Sequence, residues 1–296
     1  MSRTLRAALA ILVLLAVGAA GAVAAGDHAA ARRGAAWLAS HSGGNGQGAD
    51  ADAAVALRAT HRLSATVAGR RAATLRGAAG SYDRTPGATA KTILGLTALG
   101  AHRPQCAGRM NLLAHMLAFG HRGRFSADVF DQSLPMLALR ALGTRPSDNQ
   151  LRVLAGMRGG GGWAYLPGQG DDPSSTALAI LALRAGHVSA HSPSVRAGLS
   201  WLAHHRARGG GYAMGRRDRS EANSTALVLE AMHAVGRSDA RARRALRAMQ
   251  RRDGSFGFTR SSAGSTVIAT NDAVVALSGR HLPVAARRSV PSGRCS

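Results

Sequence analysis

Acidic and amide side chains are few in this chain, and most recur at the same point of a pattern. Asp131-Gln132, Asp172 with Ser175 and Thr176, Asn223 with Thr225, and Asn271-Asp272 each stand at the head of an apolar run. Trp163 and Tyr165, Tyr212, and Phe256 lie upstream of three of those runs, beside one or more glycines. Short polar side chains ahead of an apolar run cap a helix by accepting from its first free N–H groups. Gathered round one opening, the same side chains offer neutral donors and acceptors to a ligand. Capping and ligand binding therefore compete as explanations at each position. Asp131-Gln132 exceeds what a cap needs, and Pro135 beyond it suits a first helical turn.

Groups placed for catalysis are harder to find. The only glutamates are Glu221, beside a loop, and Glu230, inside an apolar run. Asp131 and Asp172 form a conceivable pair for glycoside hydrolysis, which needs two carboxylates roughly 5–10 Å apart. Few aromatics are spare to hold a sugar. Asp50 and Asp52 read as turn and N-cap residues. The 12 histidines show no metal-ligand spacing. The glycines at 159–162 follow no strand, so they form a turn and not a phosphate cradle. Ser174, Ser175 and Ser224 lack a nucleophile-elbow context. No cofactor is required.

The elements that carry these residues repeat. Apolar runs end at Leu57, Leu96, Leu139, Leu183, Met232 and Leu277, 39 to 49 residues apart. Stretches 32–41, 108–118, 149–157, 194–205 and 243–252 are second helices with one apolar face; Val195, Leu199 and Leu202 step by four and three. The run from Ala177 to Leu183 has no polar face, so it is buried all round. Alternating amphipathic and wholly apolar helices predict an all-α fold of two concentric rings, an α6/α6 toroid of six helix-pair repeats. An open solenoid is the alternative, and it needs polar end caps that the sequence lacks. All six inner helices would start at one end, where their N–H groups and dipoles gather at the cavity mouth.

The ends of the chain read differently. Arg3 and Arg6 precede an apolar stretch too short to span a bilayer and small residues near 22–25, the pattern of a signal peptide over residues 1–25. The toroid is expected over residues 26–283, with a tail at 284–296. No cysteine marks a lipoprotein anchor, and secretion is expected. In an exported protein Cys106 and Cys295 read as one disulfide, tying the tail back to the body. The net charge is +23, carried almost wholly by arginine; Lys91 is the only lysine. That bias, with abundant alanine and glycine, marks a GC-rich coding sequence. No nucleic-acid-binding motif is present. Loose association with an anionic cell surface is compatible with the charge.

Met249-Gln250-Arg251-Arg252-Asp253-Gly254-Ser255-Phe256 resembles the QW-type motif of squalene and hopene cyclases, and Gly161-Gly162-Trp163 and Gly210-Gly211-Tyr212 resemble degenerate copies of it. On these residues nearly the whole mature chain is similar to the prenyltransferase and squalene oxidase repeat, whose members are α/α toroids. The class II cyclases of that group use an Asp-x-Asp-Asp acid and an aromatic-lined cavity. Asp50-Ala51-Asp52-Ala53 lacks the last acid, and the chain has only 3 Trp, 3 Tyr and 5 Phe. The zinc of protein prenyltransferases has no ligand set here, and the thioester motif is absent. The resemblance to the secreted cobalamin carriers implies instead a non-catalytic toroid. A corrinoid would be held at the inner-helix mouth by Asp131, Gln132, Asp172, Ser175, Thr176, Asn223, Thr225, Asn271 and Asp272, with Trp163, Tyr165 and Tyr212 beside them. A separate β-rich lid protein or an uptake transporter would be the partner. A terpene cyclase- or prenyltransferase-like enzyme acting on an isoprenoid, or a carbohydrate-active toroid, is the alternative.

Overall fold

The computed structural model describes residues 25–215, 218–262, 266–285, 287, 289, 294 and 295. The expected signal peptide, but for its last residue, lies outside them. Among the described residues, twelve α-helices alternate in two layers. The outer helices are α1 (25–41), α3 (Ala65–Tyr82), α5 (Leu112–Ala118), α7 (Asp148–Gly156), α9 (Pro193–His204) and α11 (Ala240–Arg247). The inner helices are α2 (Gln47–Ala59), α4 (Pro86–Ala98), α6 (Val129–Ala141), α8 (Pro173–Ala185), α10 (Ala222–Ala234) and α12 (Thr266–Leu277). A two-residue ladder, β1 (Cys106–Ala107) with β2 (Met110–Asn111), precedes α5.

Each inner helix packs on the next, and α12 packs back on α2. The ring is therefore closed, and the solenoid is excluded. At the α2–α4 seam a Cβ on Gly95 would lie 3.0 Å from Ala51, so any other residue there would push the two helices apart by a few tenths of an ångström. Inner helices are apolar because neighbours flank them on both sides and outer helices back them. In α8 every residue but Arg184 is buried. In α9 only Val195, Gly198, Leu199 and Leu202 are buried, one stripe facing inward. Local sequence sets the starts. Pro86 and Pro173 occupy the first helical position, where a missing N–H is harmless. Asp172 caps α8 by accepting from Ser175 N at 2.9 Å. Asp128 caps α6, so that helix begins well before Pro135, which lies inside it. Proline there has no N–H to offer the carbonyl one turn back, on Asp131.

The chain after α12 crosses the far end of the ring. Leu282 N donates to Glu230 Oε2 at 3.1 Å, Arg287 N donates to Ala141 O at 2.8 Å, and the Arg287 guanidinium reaches Ala101 O. These carbonyls lie at or just beyond inner-helix C-termini, where helix geometry leaves them without partners. The Cys106–Cys295 disulfide then fastens the tail, closing a separation of 189 residues.

Candidate functional site

The inner helices retain solvent exposure mainly along one stripe. Near their starts the half-open residues include Ala88 and Lys91 on α4, Asn223 and Leu227 on α10, Asp272 on α12 beyond the exposed Ile268, Asp52 on α2, and Phe130 and Asp131 on α6. Steps of three and four residues put the pairs on α4, α10 and α12 each on one helix face. Neighbours cover the flanks and outer helices cover the backs, so this face borders the ring's axis. Their exposed atoms border an axial well at the inner-helix N-terminal end. α8 adds nothing half-open to it near its start, and the polar groups of the well come mainly from α10, α12, α2 and α4.

Three carboxyls and the single lysine meet there. Lys91 Nζ donates to Asp52 Oδ2 at 2.6 Å, and the Asp52 carboxylate holds the ammonium well above its usual range. Asn223 Nδ2 donates to Asp272 Oδ2 at 2.6 Å. Burial pushes Asp272 up to about 7, with the Asp52 carboxylate adding to the effect and Asn223 and Lys91 opposing it. Asp272 is surrounded by protein yet keeps part of its surface open, as a group at the bottom of a well would. Glu230, seven residues beyond Asn223 on the same helix, lies about 10 Å deeper. Burial, then Asp272, raises its carboxyl well above the ordinary range, and the tail's Leu282 N–H is its hydrogen-bond donor. Asp52 is thus no helix cap; the N-cap of α2 is Gly46. Asp50 does turn back, to the backbone of Gly44 and Asn45.

The remaining expected site residues fall into two groups. One group staples the glycine–aromatic turns to the inner helices. Thr176 Oγ1 accepts from Trp163 N at 2.9 Å, Thr225 Oγ1 from Tyr212 N at 3.0 Å, and Thr270 Oγ1 from Phe256 N at 2.8 Å. Gln132 does the same for Phe125 N at 2.8 Å and donates to Gly123 O at 3.0 Å. Trp163, Tyr212 and Phe256 are fully buried under these turns. The other group closes helix starts or seams. Asp172 caps α8 and Ser175 is buried behind it; Asn271 Nδ2 donates to Ala49 O at 3.0 Å. Asp131 lies on the start of α4, where Thr85 and the Gly87 N–H hold it; a Cβ on Gly87 would meet its Oδ1 at 1.9 Å. Its carboxyl is raised by burial and by Asp128. Asp131 and Asp172 are each committed to a helix start, which leaves the conceived hydrolytic pair without free carboxylates. Tyr165 is exposed at the mouth, edge-on to Phe130 with 5.7 Å between centroids.

The mouth itself is apolar. Among the described residues, the exposed large hydrophobics are Leu117, Phe119, Tyr165, Leu166, Met214, Phe258 and Ile268. Every one lies at the end of an outer helix, in a loop leading to an inner helix, or in an inner helix's first turn. That is one end of the ring. Ile268 is 47 % exposed beside the well. Among the described residues no group of His, Cys, Asp and Glu has metal-binding geometry.

A closed double ring of helix pairs is the architecture of an α/α toroid. The chain matches no family model, and no curated protein matches it. It is similar in structure to the type II terpene cyclase MstE from Scytonema, at 15% identity and a TM-score of 0.61, over 86% of this chain and 98% of the cyclase. Two variants of that cyclase solved with the substrate geranylgeranyl dihydroxybenzoate match with TM-scores of 0.60 and 0.62, each at 15% identity over 87% of this chain and 98% or 97% of theirs. The fold is thus the terpenoid-cyclase toroid that the glycine–aromatic repeats imply. The corrinoid-carrier reading is corrected by these neighbours, which are cyclases of isoprenoid substrates. The geometry agrees: Gln132, Thr176 and Thr225, expected to offer amide and hydroxyl groups at a rim, are fully buried and hold turns in place.

Proposed function

We propose that this protein is a terpene cyclase-like enzyme that takes an acyclic isoprenoid chain into the ring and protonates it from Asp272. The observation that carries this reading is the Asp272 carboxyl, buried at the bottom of a well and raised to about 7. A carboxyl that keeps its proton near neutrality and borders the ring's axis is the group needed to protonate an alkene. The proton passes from the Asp272 carboxyl to one carbon of a terminal double bond. The neighbouring double bond attacks the resulting cation, a carbon–carbon bond forms, and loss of a proton gives a cyclic isomer of the starting chain. Asn223 orients the acid without adding a charge. Lys91 and Asp52 neutralise each other beside it. The exposed apolar mouth supports entry of a water-insoluble chain. The disulfide supports export to an oxidising compartment.

The test is product analysis. Residues 26–296, purified oxidised, are incubated with geranylgeraniol and with squalene, and extracts are resolved by gas chromatography with mass detection. A cyclic isomer made by the wild type and lost in Asp272→Asn supports the reading. Absence of any isomer, or full turnover in Asp272→Asn, overturns it.

A further inference from the structure

The well does not use a basic cleft elsewhere on the surface. A cleft of about 360 Å³ lies between the C-terminal end of α11 and the loops that precede α10 and α12. Arg208, Arg219 and Arg260 line it, over a floor formed by Ala245, Ala248 and Met249. Arg208 and Arg219 form a parallel bridge: Arg208 N donates to Asp218 O and Ser220 N to Arg208 O, each at 3.0 Å. Bridged residues of that kind project to the same side, so two guanidinium groups start from one face. Among the described residues none of the three has a side-chain hydrogen bond or an ion pair.

The nearby acids do not pair with these arginines. The Asp218 carboxylate turns back onto Gly215, and Asp253 accepts from Ser255. The adjoining stretches 216–217 and 263–265 contain no acid in their sequence. Like charges set side by side without a counter-ion destabilise a fold. Elsewhere the structure neutralises close arginines: Arg243 and Arg247 share Asp27, and Arg206 pairs with Asp239. The three guanidinium groups of the cleft have no such partner, and the cleft is large enough to admit one.

We propose that this cleft binds the phosphate or diphosphate group of an amphiphile. Guanidinium forks match phosphate oxygens bidentately, and three of them suit a multiply charged head group. The apolar floor, with Phe258 exposed two residues from Arg260, suits a hydrocarbon tail leaving the head group. The head group comes either from a free phosphorylated amphiphile or from a lipid in a bilayer; the chemistry is shared, and the site is separate from the well.

Pyrophosphate is titrated into the full mature chain by calorimetry at about 0.15 M salt, where unspecific charge attraction is screened. The triple variant Arg208→Gln, Arg219→Gln, Arg260→Gln is compared with a charge-matched control, Arg62→Gln, Arg109→Gln, Arg237→Gln. Saturable binding that weakens by about tenfold or more in the cleft variant and not in the control supports the site. Equal loss in both variants, or no saturable binding by the wild type, overturns it. Melting curves of both variants verify folding, and Arg→Lys at the same three positions, which keeps charge but loses the fork, is expected to bind with intermediate strength. Flotation with phosphatidylcholine vesicles, with and without phosphatidic acid, separates the sources. Capture by the anionic vesicles through the three arginines assigns the site to a bilayer lipid; pyrophosphate binding without capture assigns it to a free phosphorylated ligand.

Discussion

Asn223 on α10 donates a 2.6 Å hydrogen bond to Asp272 on α12, so the acid of the well is held by a neutral amide. The nearest cation, Lys91, is bound at the same distance by Asp52 instead. This division matters because a direct ammonium partner would draw Asp272 into its ionised form. With the amide, burial prevails and the carboxyl keeps its proton to about pH 7.

Replacing Asp272 by Asn therefore removes the proton while preserving the contact, since the new amide oxygen still accepts from Asn223. Turnover is expected to fall by about 10²–10⁴-fold, the usual contribution of a positioned acid, with circular dichroism unchanged. Wild-type turnover is expected to decline as pH rises through about 7, where Asp272 ionises. A rate that rises through that pH would rule out Asp272 as the acid.

Stability is tied to the same physics. Asp272 and Asp83 are both raised by burial, to about 7 and about 6; Asp83 also accepts from Thr92 Oγ1 at 2.7 Å. For an acid raised on folding, the folded state holds the proton more tightly than the unfolded chain. Its contribution is fully present below the unfolded value near 4 and is lost as pH rises to the folded value. The melting temperature should drop between pH 4 and pH 7 from these two groups, and Asp83→Asn should flatten the part below about 6. Thermal melts across that range measure it.

The threonine staples make a separate prediction. Thr225→Val leaves the buried Tyr212 N–H without its acceptor, and Thr176→Val does so for Trp163. Each is expected to cost about 1–3 kcal/mol. Thr225→Ser, which restores the hydroxyl, should recover most of the loss in denaturant titrations. Equal losses for Val and Ser would assign the effect to packing.

The tail contributes through the chain's connectivity. A cross-link spanning 189 residues restricts the unfolded chain by about 5 kcal/mol on the chain-entropy model. Cys106→Ser with Cys295→Ser should lower the melting temperature and free the tail for early proteolysis after residue 282. Intact tails under limited proteolysis would show that the Arg287 and Leu282 contacts suffice.

Much of this molecule was legible in the order of its residues. Ring order, helix-pair repeats and the disulfide follow from apolar periodicity and cysteine count, whereas the starts of α2, α6 and α12 do not, lying three to six residues before the polar residues or proline that mark them in the sequence. α3 did not, because its buried stripe is Ala72, Leu75 and Ala79, and alanine on a helix face carries little contrast. The threonine staples were readable only as caps: each hydroxyl reaches a backbone N–H 13 or 14 residues upstream, a pairing that depends on how the turn folds back. Asp52 and Lys91 lie 39 residues apart, and their pairing needs the ring to bring α2 and α4 together. One signal for Lys91 was present: it is the lone lysine, set within an otherwise apolar inner run. The neutral residues at helix starts read alike whether they cap, staple or bind, and only the fold separated Asp272 from Gln132.

The most direct measurement is an incubation of geranylgeraniol with the protein in D₂O. If Asp272 protonates the chain, each molecule of cyclic product carries deuterium at the carbon that received the proton, and Asp272→Asn makes none. A cyclic product without deuterium, or deuterated product made equally well by Asp272→Asn, would contradict protonation from Asp272.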